Sequence, residues 1–153
     1  GSIFDISIKA DVYVTAGNSF GVMTGGIDLE FRNRFGYGLQ DSIQEEIFFY
    51  RRQQMLHIGE AITVDLPLTD KKLIYAPTMS IPKNVQNTKN AAFAFKAILE
   101  EAKKLQRKSL KSLVVACPGL CTLTGGMTPK QAAYQMRDGY TLFRDSNDSL
   151  ANT

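Results

Sequence analysis

Two stretches of this chain combine glycines with side chains that handle oxygen-rich ligands. The first is Ala16-Gly17-Asn18-Ser19-Phe20-Gly21-Val22-Met23-Thr24-Gly25-Gly26-Ile27-Asp28, and the second is Pro118-Gly119-Leu120-Cys121-Thr122-Leu123-Thr124-Gly125-Gly126-Met127. Glycines in a strand-to-helix loop let backbone N–H groups approach a ligand with no side chain in the way. A helix starting just beyond adds unpaired N–H donors and a positive dipole end, which suits phosphate without any lysine. Neither loop ends in the Gly-Lys-Ser/Thr of nucleotide triphosphatases, and neither has the spaced Gly-x-Gly-x-x-Gly of nicotinamide binders. Taken singly, each loop reads as a set of tight turns. Two of them, each leaving a strand, read as one binding crevice. Asn18 is on its own an ordinary turn former. Asp28, in the first turn of a helix, is favoured by the dipole alone; as a catalyst it would orient or deprotonate an attacking water.

The other reactive side chains have simpler readings. His57, the only histidine, follows an expected helix end, where C-terminal capping accounts for it. Cys117 and Cys121 are spaced Cys-x-x-x-Cys with no second pair, which gives no metal site. Two cysteines make a poor disulfide framework for a chain of 153 residues, so reduced thiols in a cytoplasm are expected. If Cys121 points into a nest of N–H groups its pKa is lowered; otherwise it is a small buried thiol. No cofactor signature accompanies these residues.

The elements that must position the loops follow from periodicity. Asp11 to Thr15 alternates and is β-branched, so it reads as a strand entering the first loop. A helix is expected from Ile27, since Ile27, Phe31 and Phe35 fall four apart. Another is expected from Asp41 to Met55. Ala61 to Leu66 and Lys72 to Tyr75 read as strands on either side of a turn at Leu68 to Lys71. An amphipathic helix from Asn87 to Arg107 carries Ala91, Phe95, Ala102 and Leu105 on its buried stripe. Ser112 to Ala116 reads as a short buried strand feeding the second loop. Thr128, Pro129 and Gln131 then form a capping box at the start of the last helix. Strands alternating with helices imply a mostly parallel sheet covered on both faces, with ligands beyond the carboxyl ends of the strands.

The composition suits one globular domain over residues 1–143, followed by a polar, flexible tail from 144 to 153. Hydrophobic residues make up 44% and charged residues 22%, which excludes a disordered or fibrous chain. No apolar run approaches the roughly 20 residues of a membrane span, and Gly1 to Asp5 has neither the basic leader nor the apolar core of a secretory signal. Lys103, Lys104, Arg107, Lys108 and Lys111 cluster at a helix end, where solvent and dipole accommodate them. Aromatics are not interleaved with them, which argues against a single-strand nucleic-acid platform.

The resemblance to a known family lies in three segments taken in order. Val14-Thr15-Ala16-Gly17-Asn18-Ser19-Phe20-Gly21, continuing to Gly25-Gly26-Ile27-Asp28, resembles the first ligand loop of macro domains. Ile74-Tyr75-Ala76-Pro77-Thr78-Met79 is similar to their central strand. Pro118 to Met127, followed by Pro129 and Ala132 to Met136, is similar to their second ligand loop and the helix after it. The likeness runs from about Asp11 to Tyr140 and is nearest to compact microbial and phage-type members.

What it implies is a three-layer α/β/α fold with a mixed, mostly parallel sheet, monomeric, and a cleft for ADP-ribose or an ADP-ribosylated macromolecule. Asn18 would hold the distal ribose and act with Asp28 in catalysis. Gly25, Gly26 and Ile27 would wrap the diphosphate from one side and the loop from Pro118 to Met127 from the other. Ser19 and Phe20 would line the ribose end, while adenine would meet either Asp5 with Ile6 or Ser2 with Ile3. The implied chemistry is hydrolysis of ADP-ribosyl linkages or of ADP-ribose 1''-phosphate. The alternative is a degenerate module that has lost the nucleotide site and serves protein interaction or structure. Three departures bear on that choice: Thr15 replaces the usual Asn, and Cys121 and Leu123 stand where the family has glycines. Side chains there are expected to obstruct the ligand or to oppose a positive φ.

Overall fold

The computed structural model describes residues 2–5 and 9–151. The alternating segment after Asp11 forms β1 (Val12–Asn18), and the remaining strands are β2 (Ile62–Asp65), β3 (Lys72–Met79) and β4 (Val115–Ala116). The helices are α1 (Gly26–Phe35), α2 (Tyr37–Gln44), α3 (Asn90–Arg107) and α4 (Pro129–Ala151). The sheet order is β2-β3-β1-β4. β1 runs parallel to β3 and β4, and β2 runs antiparallel to β3. The expected mixed, mostly parallel sheet is thus present.

Strand periodicity of two sorts the core into two layers. Val12 and Val14 of β1, with Ile74 and Ala76 of β3, face Ala91, Ala94, Ala97 and Ile98 of α3. Tyr13, Leu73 and Tyr75 face the opposite way, onto Phe31 of α1, Leu39 and Ile43 of α2, and Ile47. Helices therefore cover both faces, and each face carries its own apolar cluster.

Small residues set how closely α3 and α4 approach. The buried stripe of α3 is largely alanine, and a Cβ built at Gly139 of α4 would collide with the Ala92 carbonyl oxygen. Thr128 and Gln131 form the expected reciprocal cap, with backbone N–H bonds of 2.9 Å to Gln131 Oε1 and 3.1 Å to Thr128 Oγ1. At its other end α4 runs through Ala151, so the segment from Arg144, read from sequence as a tail, is helical as far as residue 151. Contacts to α3 explain the extension. Lys103 lies 5.9 Å over the Phe143 ring and, one turn on, donates to Asn147 Oδ1 at 2.8 Å.

Three other elements differ from their sequence reading. The helix expected to reach Met55 ends at Tyr50, its last part (Glu45–Tyr50) being a π-helical turn closed by Arg51 N–H on the Glu46 carbonyl at 3.0 Å. Phe48, Phe49 and Tyr50 are left on the surface while Ile47 stays buried. His57 lies beyond this end, exposed, its backbone N–H bonded to Glu60 Oε1 rather than serving a helix cap. β4 is shorter and less buried than expected because it forms a sheet edge, with Val114 and Val115 partly open to solvent. The carboxylate of Asp11 fastens that edge, taking bonds from Val114 N–H and Lys111 Nζ, both at 2.8 Å. Among the described residues, no helix is long and apolar enough to cross a membrane.

The α3–α4 contact gives a test in which two effects oppose each other. Helix propensity alone would make Gly139→Ala stabilising by about 1 kcal/mol. The collision with the Ala92 backbone dominates, so a net loss of about 1–3 kcal/mol is expected in urea unfolding.

Candidate functional site

The floor of the site is assembled by register. Thr15 pairs with Tyr75 across β1 and β3, and period two places Gly17 on the same face, beneath α1. A polar residue in the middle of a buried strand needs a partner. Thr15 finds it in Asp28, donating to Oδ1 at 2.6 Å. Asp28 stands in the first turn of α1 and is 3% exposed. Burial pushes its carboxyl from 3.8 up to about 7, partly opposed by the Thr15 hydrogen bond. The other carboxylate oxygen, Oδ2, occupies the place a Cβ on Gly17 would take, and the Tyr75 hydroxyl closes the same gap from β3. Tyr75 is fully buried and donates to the Asn18 carbonyl at 2.6 Å. Burial, with the nearby Asp28, lifts its own pKa well above 10.

Asn18 ends β1 and folds the loop that follows. Its Oδ1 accepts from Phe20 N–H at 3.0 Å and Val22 N–H at 3.3 Å, and its Nδ2 donates to the Val22 carbonyl at 2.7 Å. Gly21 takes a left-handed φ of 70° within this turn, against Ile43. The loop then reaches Gly25 and Gly26, where a Cβ would meet nothing within 4 Å. This is bare backbone at the start of α1, whose first-turn N–H groups have no partner inside the helix.

The second loop reaches the opposite wall by a strained path. Cys121 and Leu123 adopt φ of 62° and 55°, the left-handed conformation that glycine takes freely; each costs on the order of 1–2 kcal/mol. The side chains at these positions do not prevent the turn. It is closed by Met127 N–H on the Cys121 carbonyl and Gly126 N–H on the Leu123 carbonyl, both at 3.0 Å, and pinned by buried Leu120 and Met127. Cys121 packs into the core with Val85 and Met79. Burial raises its thiol to about 11 and that of Cys117 to about 12, so neither has the lowered pKa of a reactive thiolate. Leu123 instead projects into solvent, 82% exposed.

Both loops open onto one cavity of about 1230 Å³. Of the residues singled out from sequence, Asp5, Asn18, Gly25, Gly26, Ile27, Asp28, Pro118, Gly119, Cys121, Thr122, Leu123 and Thr124 line it. Ser2 and Ile3 line it too, so both segments considered for the base end reach the cavity, although Ile6 lies outside the described residues. Ser19, Phe20, Leu120, Gly125, Gly126 and Met127 do not form its wall. Leu120 and Met127 are core anchors, Gly126 is pressed against Asn84, and Phe20 belongs to the loop's outer side. Sequence reasoning did not single out Gly17, Tyr75, Thr78 or Met79 as part of the site. Thr15 was noted in the sequence as a departure from the family's Asn, but not as the partner of Asp28. Among the described residues, no group of three or more His, Cys, Asp or Glu could hold a metal ion.

A family model described as Macro domain matches residues 14–136, from β1 through both loops and into α4. The chain belongs to the macro domain family. An uncharacterized protein of Aquifex aeolicus (strain VF5) is 31% identical over 137 residues, covering 89% of this chain and 74% of its relative. The fold is similar to the macrodomain of Mycobacterium tuberculosis DarG, with a TM-score of 0.71 at 19% identity, over 93% of this chain and 87% of that one. It is also similar to the Oceanobacillus iheyensis macrodomain solved with MES bound, with a TM-score of 0.71 at 20% identity, over 89% and 70%. Thermosipho africanus DarTG, solved in complex with ADP-ribose, aligns with a TM-score of 0.64 at 18% identity, over 86% of this chain and 35% of that one.

In this macro domain the strain at Leu123 is measurable on its own. The side chain is exposed and packs little, so Leu123→Gly removes mainly the backbone penalty. Chemical denaturation should show a gain of about 1 kcal/mol. A loss would mean that the leucine is held by contacts outweighing its conformation.

Proposed function

We propose that this macro domain binds ADP-ribose in the cavity between its two loops, with the diphosphate lying across the bare backbone at the start of α1. The observation that carries this reading is the pairing of Gly25 and Gly26, open on their Cβ side, with the loop from Gly119 to Thr124 across a single cavity. First-turn N–H groups and the dipole favour an anion there. Asn18 uses one amide hydrogen on Val22; an Asn NH₂ carries two, which leaves one for the distal ribose. The structure of the Thermosipho africanus protein with ADP-ribose supports the ligand class. The left-handed turn retained at Cys121 and Leu123 supports an intact second loop over a degenerate one.

Calorimetric titration tests it, with ADP and AMP as controls. Micromolar ADP-ribose binding, at least about tenfold tighter than AMP, is the expected result. No heat at millimolar ligand would overturn the proposal and leave a protein-interaction role, for which the exposed Phe48, Phe49 and Tyr50 are the available surface.

The finer proposal is hydrolysis, of an ADP-ribosyl linkage or of ADP-ribose 1''-phosphate, with Asp28 deprotonating or orienting the attacking water. Asp28→Ala should then abolish turnover while changing ADP-ribose affinity by less than about fivefold. The raised carboxyl fixes the sign of the pH dependence. A base must be ionised, so turnover is expected to climb as pH rises through about 7 and to level off above it. A rate that falls over that interval would assign Asp28 the acid's role instead.

A further inference from the structure

The gap left by Gly17 brings together two groups that the roles assigned above do not connect. Tyr75 reaches from β3 under α1, and its hydroxyl lies 2.5 Å from where a Gly17 Cβ would stand. Asp28 Oδ2 crowds the same point, so the two oxygens are at most a few ångströms apart. Their hydrogen-bonding roles are set by what else they touch. The Tyr75 proton is committed to the Asn18 carbonyl at 2.6 Å. The phenolic oxygen, and with it the negative end of the O–H dipole, is therefore what Asp28 meets. Thr15 does the opposite, aiming its proton at Oδ1.

We propose that Tyr75 is a positioning residue for the Asn18–Asp28 pair, holding the end of β1 by the Asn18 carbonyl and turning its hydroxyl oxygen toward the Asp28 carboxyl. One side chain thereby does two things. It fixes the backbone from which the Asn18 amide projects, at the point where the β1–β3 register slips between Gly17 and Asn18. It also opposes ionisation of Asp28, because an oxygen dipole facing a carboxylate disfavours the anion. Thr15 favours the anion by donating to it. The same carboxyl thus lies between two hydroxyls of opposite orientation, one on each of two paired strands. Among the described residues, the other ionisable groups lining the cavity are Asp5, Glu30 on α1, and the thiols of Cys117 and Cys121. On the strands beneath α1, Tyr13 lies two residues before Thr15, and Lys72 is at the far end of β3.

The affinity side of this inference rests on the ADP-ribose reading, whereas its electrostatic side does not. The test is a carbon-detected NMR titration of the Asp28 carboxyl in ligand-free protein, in the unaltered chain and in Tyr75→Phe and Thr15→Val. Tyr75→Phe should move the Asp28 midpoint down by on the order of one unit, and Thr15→Val should move it up. General loosening of the fold would hydrate the carboxyl and lower both, so opposite signs identify the dipoles. ADP-ribose affinity in Tyr75→Phe should fall about fivefold through the freed Asn18 carbonyl. An Asp28 midpoint unchanged or raised in Tyr75→Phe overturns the inference, as does the same direction of shift in both variants. Absence of ADP-ribose binding to the unaltered protein would instead overturn the ligand reading, and the ligand-free midpoints would still decide this one.

Discussion

A carboxyl group buried over a parallel strand pair, with no cationic partner among the described residues, constrains everything around it. Asp28 is in that position. Among the described residues its hydrogen-bond donor is Thr15, which must sit on the α1 side of β1, and the facing of that strand is locked by the requirement. Its second oxygen fills the space above Gly17, so any larger residue there would displace the carboxyl or the helix carrying it. Tyr75 completes the enclosure from the neighbouring strand. The sheet register, the identity of residue 17 and the placement of α1 are therefore one constraint seen from three sides. It is also a destabilising one, since a desolvated acid is retained where an apolar residue would pack without penalty.

The two loops solve a common problem by different means. Each must turn sharply after a strand and leave backbone facing a cavity. The first does so with glycine and with Asn18, whose amide replaces the missing backbone partners of Phe20 and Val22. The second accepts left-handed Cys121 and Leu123 and compensates by burying Leu120, Cys121 and Met127 in the core. Strain on the rim is thus offset by anchors directly beneath it.

The fold was legible in the sequence where local chemistry and tertiary packing agree. Val12 to Thr15 was readable as a strand because β-branched and aromatic residues suit a pleated, packed segment, and Thr128, Pro129 and Gln131 announce α4 because a cap is a local device. The end of α4 was hidden, since Arg144 to Asn147 look polar until Lys103 arrives from α3. β4 was misjudged as buried because an apolar pentapeptide carries no mark of lying at an edge. In the candidate site, Gly25, Gly26, Asn18 and Asp28 were readable as a strand-loop-helix pattern. The Tyr75–Asn18 contact was not, because it depends on the register between strands far apart in the chain. The left-handed turn at Cys121 and Leu123 ran against residue preference, which hydrogen-bonded closure of the loop overrides.

The pairing of β1 with β3 also dictates when the site can exist. Every group on the floor near Asp28 is either early in the chain, as Thr15 and Gly17 are, or on β3, as Tyr75 is. Val12 to Asn18 can find its parallel partner only after Met79 has left the ribosome, and its other neighbour only after Ala116 has. Before that pairing the Asn18 carbonyl lacks the Tyr75 hydroxyl that holds it. Contacts this distant in sequence make for slow folding. Because burial raises the Asp28 carboxyl to about 7, pairing of the central strands and closure of the space beneath α1 are coupled to proton binding below that pH.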